Sequence, residues 1–371
     1  MAGIYIHIPF CAKRCIYCGF FSTVREDEAA RYVQAVCREL ELRQDYLEGA
    51  PVRTIYFGGG TPSRLTTDQI GRIIDGISRV FGLDNIEELT VECNPDDITS
   101  GYIAQLRSIG VNRISMGVQT FNDDMLRFLH RRHTAVQALD AVRTCRESGI
   151  TNISIDLMYG LPGQSLEMFR TDLETALSAS VQHISSYCLS YEDGSPLKRM
   201  LSEHKVAPAT DELCSSMFTL MCQTLRDAGF DHYEISNFCK PGYHSRHNSS
   251  YWDGTPYLGL GAAAHSYNGI SRQWNPSDLD VYMTGIEHGT PQFEIEHLSS
   301  TDLYNEKLML SLRTSRGLDL STLNVPERQS VLKSTQLLIS KGSLELDNSH
   351  LRIPEHQMFI SDSIISTLFK D

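Results

Sequence analysis

The feature that most constrains the fold is a strand followed by a helix, repeated along the first half of the chain. Segments rich in β-branched and aromatic residues predict six strands. They begin at Ile4, Arg53, Glu88, Arg113, Asn152 and His183. Helical patterns separate them, at residues 26–48, 67–81, 99–109, 134–148 and 165–178. Such alternation is typical of a parallel sheet with right-handed crossovers. Because a closed barrel has eight units, we expect an α/β fold, a partial (β/α)6 TIM-like barrel.

Length and composition narrow the class of protein. A chain of 371 residues can hold a barrel-sized core and an appendage. With 41% hydrophobic and 21% charged residues, it resembles soluble globular proteins. No run approaches the roughly 18 apolar residues of a membrane helix. The net charge of −13 argues against nucleic-acid binding.

The start of the chain, Met1-Ala2-Gly3, lacks the basic region and cleavage site of a signal peptide. We therefore expect a cytoplasmic location. In that reducing compartment, ten cysteines favour metal ligands or free thiols over disulfides.

The unusual residues of the chain follow the predicted strands. In parallel α/β folds the carboxyl ends of the strands meet at one edge, where the chemistry takes place. Five segments should therefore converge there, at residues 11–18, 58–62, 92–95, 117–121 and 156–163.

Three cysteines follow the first strand with the spacing C-x3-C-x2-C, namely Cys11, Cys15 and Cys18. A structural zinc site normally has four protein ligands, and an iron–sulfur cube is normally held by four thiolates. Three thiolates on one loop therefore predict a [4Fe–4S] cluster with one iron open to a non-protein ligand. A structural zinc site is the less favoured alternative.

Two carboxylates and a glycine run would face the same edge. The run Gly58–Gly60 allows backbone to approach a ligand closely, although a phosphate nest would have the same pattern. Glu92 would be costly to bury without a cationic partner, and a surface glutamate is its alternative interpretation. Asp156 suits ribose hydroxyls, as acidic residues do in dinucleotide sites.

Three further side chains are candidates with simple alternatives. Gln119 can donate to and accept from a ribose or a nucleobase. Arg131 could pair with a ligand carboxylate, or lie with Arg132 on a solvated helix face. Tyr5 could face the cluster, or belong only to the core.

These motifs resemble the radical S-adenosylmethionine (SAM) enzymes, and among them the subfamily that includes oxygen-independent coproporphyrinogen III oxidase. The matching segments cover residues 5–11, 57–62, 91–95, 115–119 and 155–164, with an aromatic before the third cysteine. The resemblance spans almost the whole chain. It implies that the amino and carboxylate groups of SAM chelate the open iron. It also implies a set of residues around SAM, namely Tyr5, Tyr17, Gly59, Gly60, Thr61, Glu92, Gln119, Arg131 and Asp156.

One position departs from the oxidase pattern. The oxidase has a further cysteine two residues after the third cluster cysteine, where this chain has Phe20. The pattern with phenylalanine at this position is similar to that of the related haem chaperones. This resemblance implies haem binding and transfer to acceptor proteins. The alternative is a decarboxylase, in which a 5′-deoxyadenosyl radical attacks a propionate of a porphyrinogen. Either activity implies an electron donor of the flavodoxin or ferredoxin type.

The segment 231–297 is expected to be loop-rich, with several histidines and aromatics. Imidazole ligates haem iron. His247 lies in His247-Asn248-x-x-Tyr251-Trp252, which resembles a motif of the haem chaperones. We favour His247 as the iron ligand over His244 and His265. A loop held by buried histidines remains the alternative.

The last segment, 298–371, predicts a third domain after a core at 1–230 and the extension at 231–297. Helical patterns cover 302–313, 327–340 and 360–369, and a hairpin is predicted near 343–353. Helices followed by a small hairpin suggest a winged-helix-like domain. Since no basic stripe accompanies it, a lid or docking role is favoured over DNA binding.

Overall fold

The centre of the computed structural model, which describes residues 1–370, is a set of six parallel strands. Each strand lies beside the next in sequence. The strands are β1 (Ala2–Ile8), β2 (Val52–Gly59), β3 (Glu88–Cys93), β4 (Arg113–Gln119), β5 (Asn152–Tyr159) and β6 (His183–Cys188). This arrangement confirms the predicted partial (β/α)6 barrel.

Helices connect these strands close to the predicted positions. They are α1 (Ala29–Leu42), α2 (Thr67–Phe81), α3 (Ser100–Ser108), α4 (Asp123–Phe128), α5 (Ala135–Glu147) and α6 (Leu166–Ser178). Capping boxes begin α2 at Thr66 and α5 at Thr134, which satisfies free backbone N–H groups. Helix α1 ends at Leu42 and not near residue 48. Arg43, the next residue, is buried and donates to the carbonyl of Gly259 at 3.0 Å.

The two faces of the strands differ, because side chains alternate across a strand. On β1, Ile4, Ile6 and Ile8 are fully buried in the hydrophobic core, and Tyr5 points to the other side. That inner side carries polar and aromatic groups.

The segment after the barrel extends the sheet at both edges. Its helices are α7 (Pro196–Ser202), α8 (Asp211–Asp227), α9 (Arg246–Trp252) and α10 (Leu279–Glu287). Its strands are β7 (Asp231–Glu234), β8 (Asn237–Cys239), β9 (Tyr257–Leu260), β10 (His265–Tyr267), β11 (Ser271–Trp274) and β12 (Glu294–His297). Strand β9 pairs with β1, and β8 pairs with β6. The segment is therefore more regular than expected, because strands this short leave little alternation in the sequence.

The C-terminal region combines helices with a small sheet. Its elements are α11 (Ser300–Leu312), β13 (Leu318–Asp319), α12 (Val325–Ser340), β14 (Glu345–Asp347), β15 (His350–Arg352) and α13 (Ser361–Ser366). The three strands pair in the order β13-β15-β14, as a wing would. The last helix, predicted at 360–369, is present as the shorter α13, and an additional 3-10 turn, Glu355–Ile360, precedes it. The domain boundaries at 230 and 297 stay predictions.

No helix within residues 1–370 combines the length and the hydrophobicity needed to cross a membrane.

Candidate functional site

A cavity of about 610 Å³ opens at the carboxyl ends of the barrel strands. We call it the carboxyl-end cavity. All five segments that were expected to converge contribute to its wall. Of the candidate residues, it is lined by Cys11, Cys15, Tyr17, Cys18, Gly59, Gly60, Thr61, Glu92, Gln119, Arg131 and Asp156. Tyr5 and His247 do not line it.

The loop that carries the three cysteines is fixed by backbone hydrogen bonds and by a small apolar cluster. The N–H of Cys11 donates to the carbonyl of Thr23 at 2.8 Å, and Thr23 donates to Pro9 at 2.7 Å. Ile16, between the cysteines, packs in a cluster with Leu129, Met158, Leu161, Leu189 and Leu197. The thiols are therefore held in place by the surrounding fold.

The environment of the thiols fits a metal cluster. Burial raises the pKa of Cys11 and that of Cys18, so free thiols would stay neutral there. The Sγ atom of Cys11 lies 3.3 Å from the hydroxyl of Thr61. The guanidinium of Arg131 donates to the Sγ atom of Cys15 at 3.5 Å. None of the ten cysteines, all within residues 1–370, forms a disulfide.

Arg131 joins the cysteine loop to two strands. Besides Cys15, it donates to the Oδ1 atom of Asn94 at 2.8 Å and to the carbonyl of Gly117. Arg132 instead pairs with two largely buried carboxylates of the neighbouring 3-10 turn, Asp96 and Asp97. The two arginines thus have different surroundings, and only Arg131 reaches into the cavity.

Two carboxyl groups of the cavity have no directly paired cation within residues 1–370. Burial raises the pKa of Glu92 to about 7, with Asp156 as the second cause, although Tyr56 donates to Glu92 at 2.7 Å. Burial likewise raises the pKa of Asp156 to about 6. The charge of buried Arg113 lowers both values in part. Such carboxyl groups fit a ligand that brings an ammonium group and hydroxyls.

The glycine run is required by close backbone packing. Gly59 has φ +105°, and a Cβ there would lie 2.6 Å from the ring of His7. A Cβ on Gly60 would lie 2.8 Å from the backbone carbonyls of Ile8 and Pro9. The run therefore brings β2 against the start of the cysteine loop, and both glycines face the cavity.

Gln119 lies at a backbone irregularity. The register between β4 and β5 shifts between Gly117 and Gln119, and Gln119 has φ +72°. A bulge of this kind redirects a side chain and is frequent beside functional sites. Here it brings Gln119 to the wall of the cavity.

Sequence reasoning missed several residues of the site. Asn94 and Tyr187 also line the cavity, and Tyr56 and Arg113 support its carboxyl groups. Arg113 is 1% exposed, and its Nε and one terminal nitrogen have no partner within residues 1–370. Its position on the same strand face as the interior polar residues was the available signal, since strand residues two apart share a face.

Tyr5 and His247 lie inside the barrel. Tyr5 stacks on Tyr56 at 6.2 Å, and its hydroxyl lies 3.2 Å from His7. His247 is 0% exposed, and both ring nitrogens are engaged at 2.9 Å, with Thr54 and with Tyr251. Neither nitrogen is free for a haem iron in this conformation, which does not support the expected ligand role.

Family models match both ends of the chain. Residues 5–176 match the Radical SAM superfamily, and residues 298–360 match the HemN C-terminal domain. The cavity, with three thiols and carboxyl groups suited to SAM, agrees with the first match. The fold and the site thus define a radical SAM protein.

Relatives that match most of the chain identify the family within this superfamily. The heme chaperone HemW of Mycobacterium tuberculosis is 32% identical over 371 residues, covering 99% of this chain and 94% of the relative. HemW of Lactococcus lactis is 36% identical, covering 84% and 82%, and HemW of Escherichia coli is 37% identical, covering 71% and 69%. The chain belongs to the HemW family of the radical SAM superfamily.

A solved structure has the same fold. Coproporphyrinogen III oxidase (HemN) from Escherichia coli aligns with a TM-score of 0.85 at 23% identity, covering 100% of this chain and 90% of the oxidase. At this identity the likeness supports the fold alone. The family implies a [4Fe–4S] cluster and SAM.

Proposed function

We propose that this protein binds haem and delivers it to acceptor proteins in the cytoplasm. The observation that carries the proposal is the nearly end-to-end similarity to a relative named heme chaperone, at 32% identity and 94% coverage of that relative. An electron donor of the flavodoxin or ferredoxin type would serve the cluster.

Phe20 supports the chaperone over the decarboxylase. The coproporphyrinogen oxidases resembled by this chain have a cysteine at this position. Phe20 is 66% exposed and lies on the wall of the carboxyl-end cavity. A phenylalanine offers no thiol to donate a proton or to bind a metal. The porphyrinogen decarboxylation therefore lacks a group that the oxidase pattern carries.

The carboxyl-end cavity would hold the cofactors of the family. Cys11, Cys15 and Cys18 would hold the cluster, and Glu92 and Asp156 would bind the polar groups of SAM. When bound, the cluster supplies an open iron for SAM and one electron for its reduction. The protein's own part is positional, because Arg131 ties Cys15 to the strand ends and Ile16 anchors the loop.

The test is a haemin titration of protein reconstituted without oxygen. We expect a shift of the haem Soret band at equimolar protein, followed by transfer of the haem to an apo-cytochrome. The same preparation, given coproporphyrinogen, SAM and dithionite, should form no protoporphyrinogen. Wild-type protein that leaves the haemin spectrum unchanged would remove the chaperone proposal, and steady product formation would favour the decarboxylase.

A further inference from the structure

A second large cavity, of about 700 Å³, lies between α9 and α11. We call it the amino-end cleft. Its walls come from the extension and from the C-terminal helices, and they include Tyr233, Trp252, Tyr267, Leu303 and Leu310. Its volume is within the roughly 300–1,000 Å³ typical of pockets for drug-sized ligands. A flat aromatic ligand would find aromatic and aliphatic partners on several sides.

The cleft lies at the end of the barrel opposite to the cysteines. Backbone N–H groups of Arg246 and His247, at the start of α9, donate to Glu88 at 2.8 and 3.1 Å. Glu88 is the first residue of β3. Tyr233 is 2.8 Å from His183, the first residue of β6. The cleft is therefore built beyond the amino ends of the strands.

Among the three candidate histidines, only His244 lines the cleft. It is exposed, and its ring nitrogens have no hydrogen-bond partner within residues 1–370. Its ring lies 4.5 Å from that of Tyr233 at 61°, an edge-on contact that holds the imidazole at the wall. His265 stacks on Trp274 at 5.8 Å and lines neither of the two large cavities.

Two cations line the cleft, and the ammonium of one of them, Lys307, donates to the carbonyl of Thr322 at 2.8 Å. No carboxylate within residues 1–370 lies at salt-bridge distance from Lys307 or Arg316, and both line the cleft. The acidic neighbours are already engaged. Glu306 pairs with Arg272 at 2.8 Å, and Asp253 and Asp319 accept from nearby backbone N–H groups at 3.0 and 2.8 Å.

We propose that the amino-end cleft is the haem site, with His244 as the axial ligand and Lys307 and Arg316 as partners of the two propionates. The proposal rests on the proposed function, since haem is the cargo. It combines an imidazole without a hydrogen-bond partner, an aromatic wall and two cations without a carboxylate partner, all within residues 1–370, in one cleft of suitable size. It also separates the haem from the carboxyl-end cavity, so that the cargo and SAM occupy opposite ends of the same strands.

His247 then has a positioning role. It is packed inside the barrel, where it stacks on Tyr56 at 5.0 Å and bonds to Tyr251. Trp252, the next residue after Tyr251, lines the cleft. Loss of His247 would disturb the wall without removing the iron ligand.

The proposal is tested by haemin titration of the full chain carrying His244→Ala, with His265→Ala as the matched control. We expect His244→Ala to weaken haem binding by at least about tenfold and to remove the imidazole signature from the absorption and electron paramagnetic resonance spectra. His265→Ala should match the wild type. The double variant Lys307→Ala/Arg316→Ala should weaken binding about threefold to tenfold with an unchanged imidazole signature.

A third variant, His247→Gln, separates ligation from packing, and its fold is checked by thermal unfolding. We expect the folded variant to keep the imidazole signature. The haem-site proposal is overturned if His244→Ala binds haem like the wild type, or if folded His247→Gln loses the imidazole signature while His244→Ala keeps it. Wild-type protein that takes up no haem would instead refute the proposed function itself.

Discussion

The carboxyl-end cavity and the amino-end cleft lie at the two ends of the same strands, but they are built differently. The first is assembled from loops that each follow a strand, and it buries titratable groups such as Glu92 and Asp156. The second is formed by α9, α11 and neighbouring turns, with aromatic walls and cations on the rim. Buried polar groups suit a small charged cofactor, whereas aromatic walls suit a large flat ligand. On the proposals above, the same barrel would therefore bind SAM at one end of its strands and haem at the other.

The largest expected effect tests this independence. Cys15→Ala should abolish cluster loading, because it removes one of three thiols and the partner of Arg131. Iron and acid-labile sulfide per chain, measured after anaerobic reconstitution, should fall close to zero. Haemin titration of the same variant should remain near the wild type. Parallel loss of haem binding would break the comparison between the two sites.

The matched control is Cys37→Ala. Cys37 lies on α1, half-buried, and does not line the carboxyl-end cavity. The variant should load iron and sulfide like the wild type. Equal losses in Cys15→Ala and Cys37→Ala would point to general damage rather than to a missing ligand.

A smaller effect, on the free energy of unfolding, is expected when one methyl group is added to the wall of the carboxyl-end cavity or of the amino-end cleft. Gly59→Ala should lower the free energy of unfolding by about 2–5 kcal/mol, since a Cβ meets the His7 ring at 2.6 Å and the φ of +105° is strained. Gly254→Ala, in the wall of the cleft, should cost only about 1–2 kcal/mol, because its φ is +74° but no atom lies within 4 Å. Urea unfolding of both variants measures the difference. Equal costs would contradict the tight packing of the first wall.

The next largest effect expected is the pH dependence of SAM binding. Glu92 and Asp156 have pKa values raised to about 7 and about 6, so both carboxyl groups become protonated as the pH falls. Because the positive charge of the SAM sulfonium favours their ionised forms, SAM affinity of the cluster-loaded protein should rise about tenfold from pH 6 to pH 8. Calorimetric titration of SAM measures this slope. Glu92→Gln should weaken binding and flatten most of the slope, and an unchanged slope in this variant would exclude Glu92 as its source.

The sequence predicted the carboxyl-end cavity better than the cleft for a physical reason. In a parallel sheet, residues that follow strands meet at one end, so Cys11, Glu92 and Asp156 could be placed together without knowing the packing. Even there, a second reason for the glycine run was missed. Gly59 and Gly60 are required by packing against His7 and Pro9, which are distant in sequence.

The cleft could not be derived in this way. It brings His244 beside residues of α11 and of the following turn, such as Lys307 and Arg316, and no local pattern records that contact. The motif around His247 directed attention to a segment that forms part of the wall of the cleft, but not to an accessible ring. Its burial depends on Thr54 and Glu88, which lie on two different strands.

The smallest expected effect concerns communication between the two ends. A continuous line of contacts runs from Glu92 through Tyr56, at 2.7 Å, to His247, at 5.0 Å between ring centroids, and on to Tyr251 at 2.9 Å. Because SAM would change the charge of Glu92, the contacts of Tyr56 should change with it. We expect SAM to alter haem affinity by no more than about fivefold, or roughly 1 kcal/mol, and haem to alter SAM affinity by the same factor.

Tyr56→Phe tests this line, because it removes the hydroxyl that donates to Glu92 and keeps the ring that stacks on His247. The ratio of haem affinities with and without SAM should move toward one, while haem affinity without SAM should stay near that of the wild type. Tyr191→Phe is the control, since its hydroxyl has no hydrogen-bond partner within residues 1–370 and it packs in the cluster beneath the cysteine loop. A ratio that differs from one and is unchanged by Tyr56→Phe would show that the hydrogen bond from Tyr56 to Glu92 does not carry the coupling.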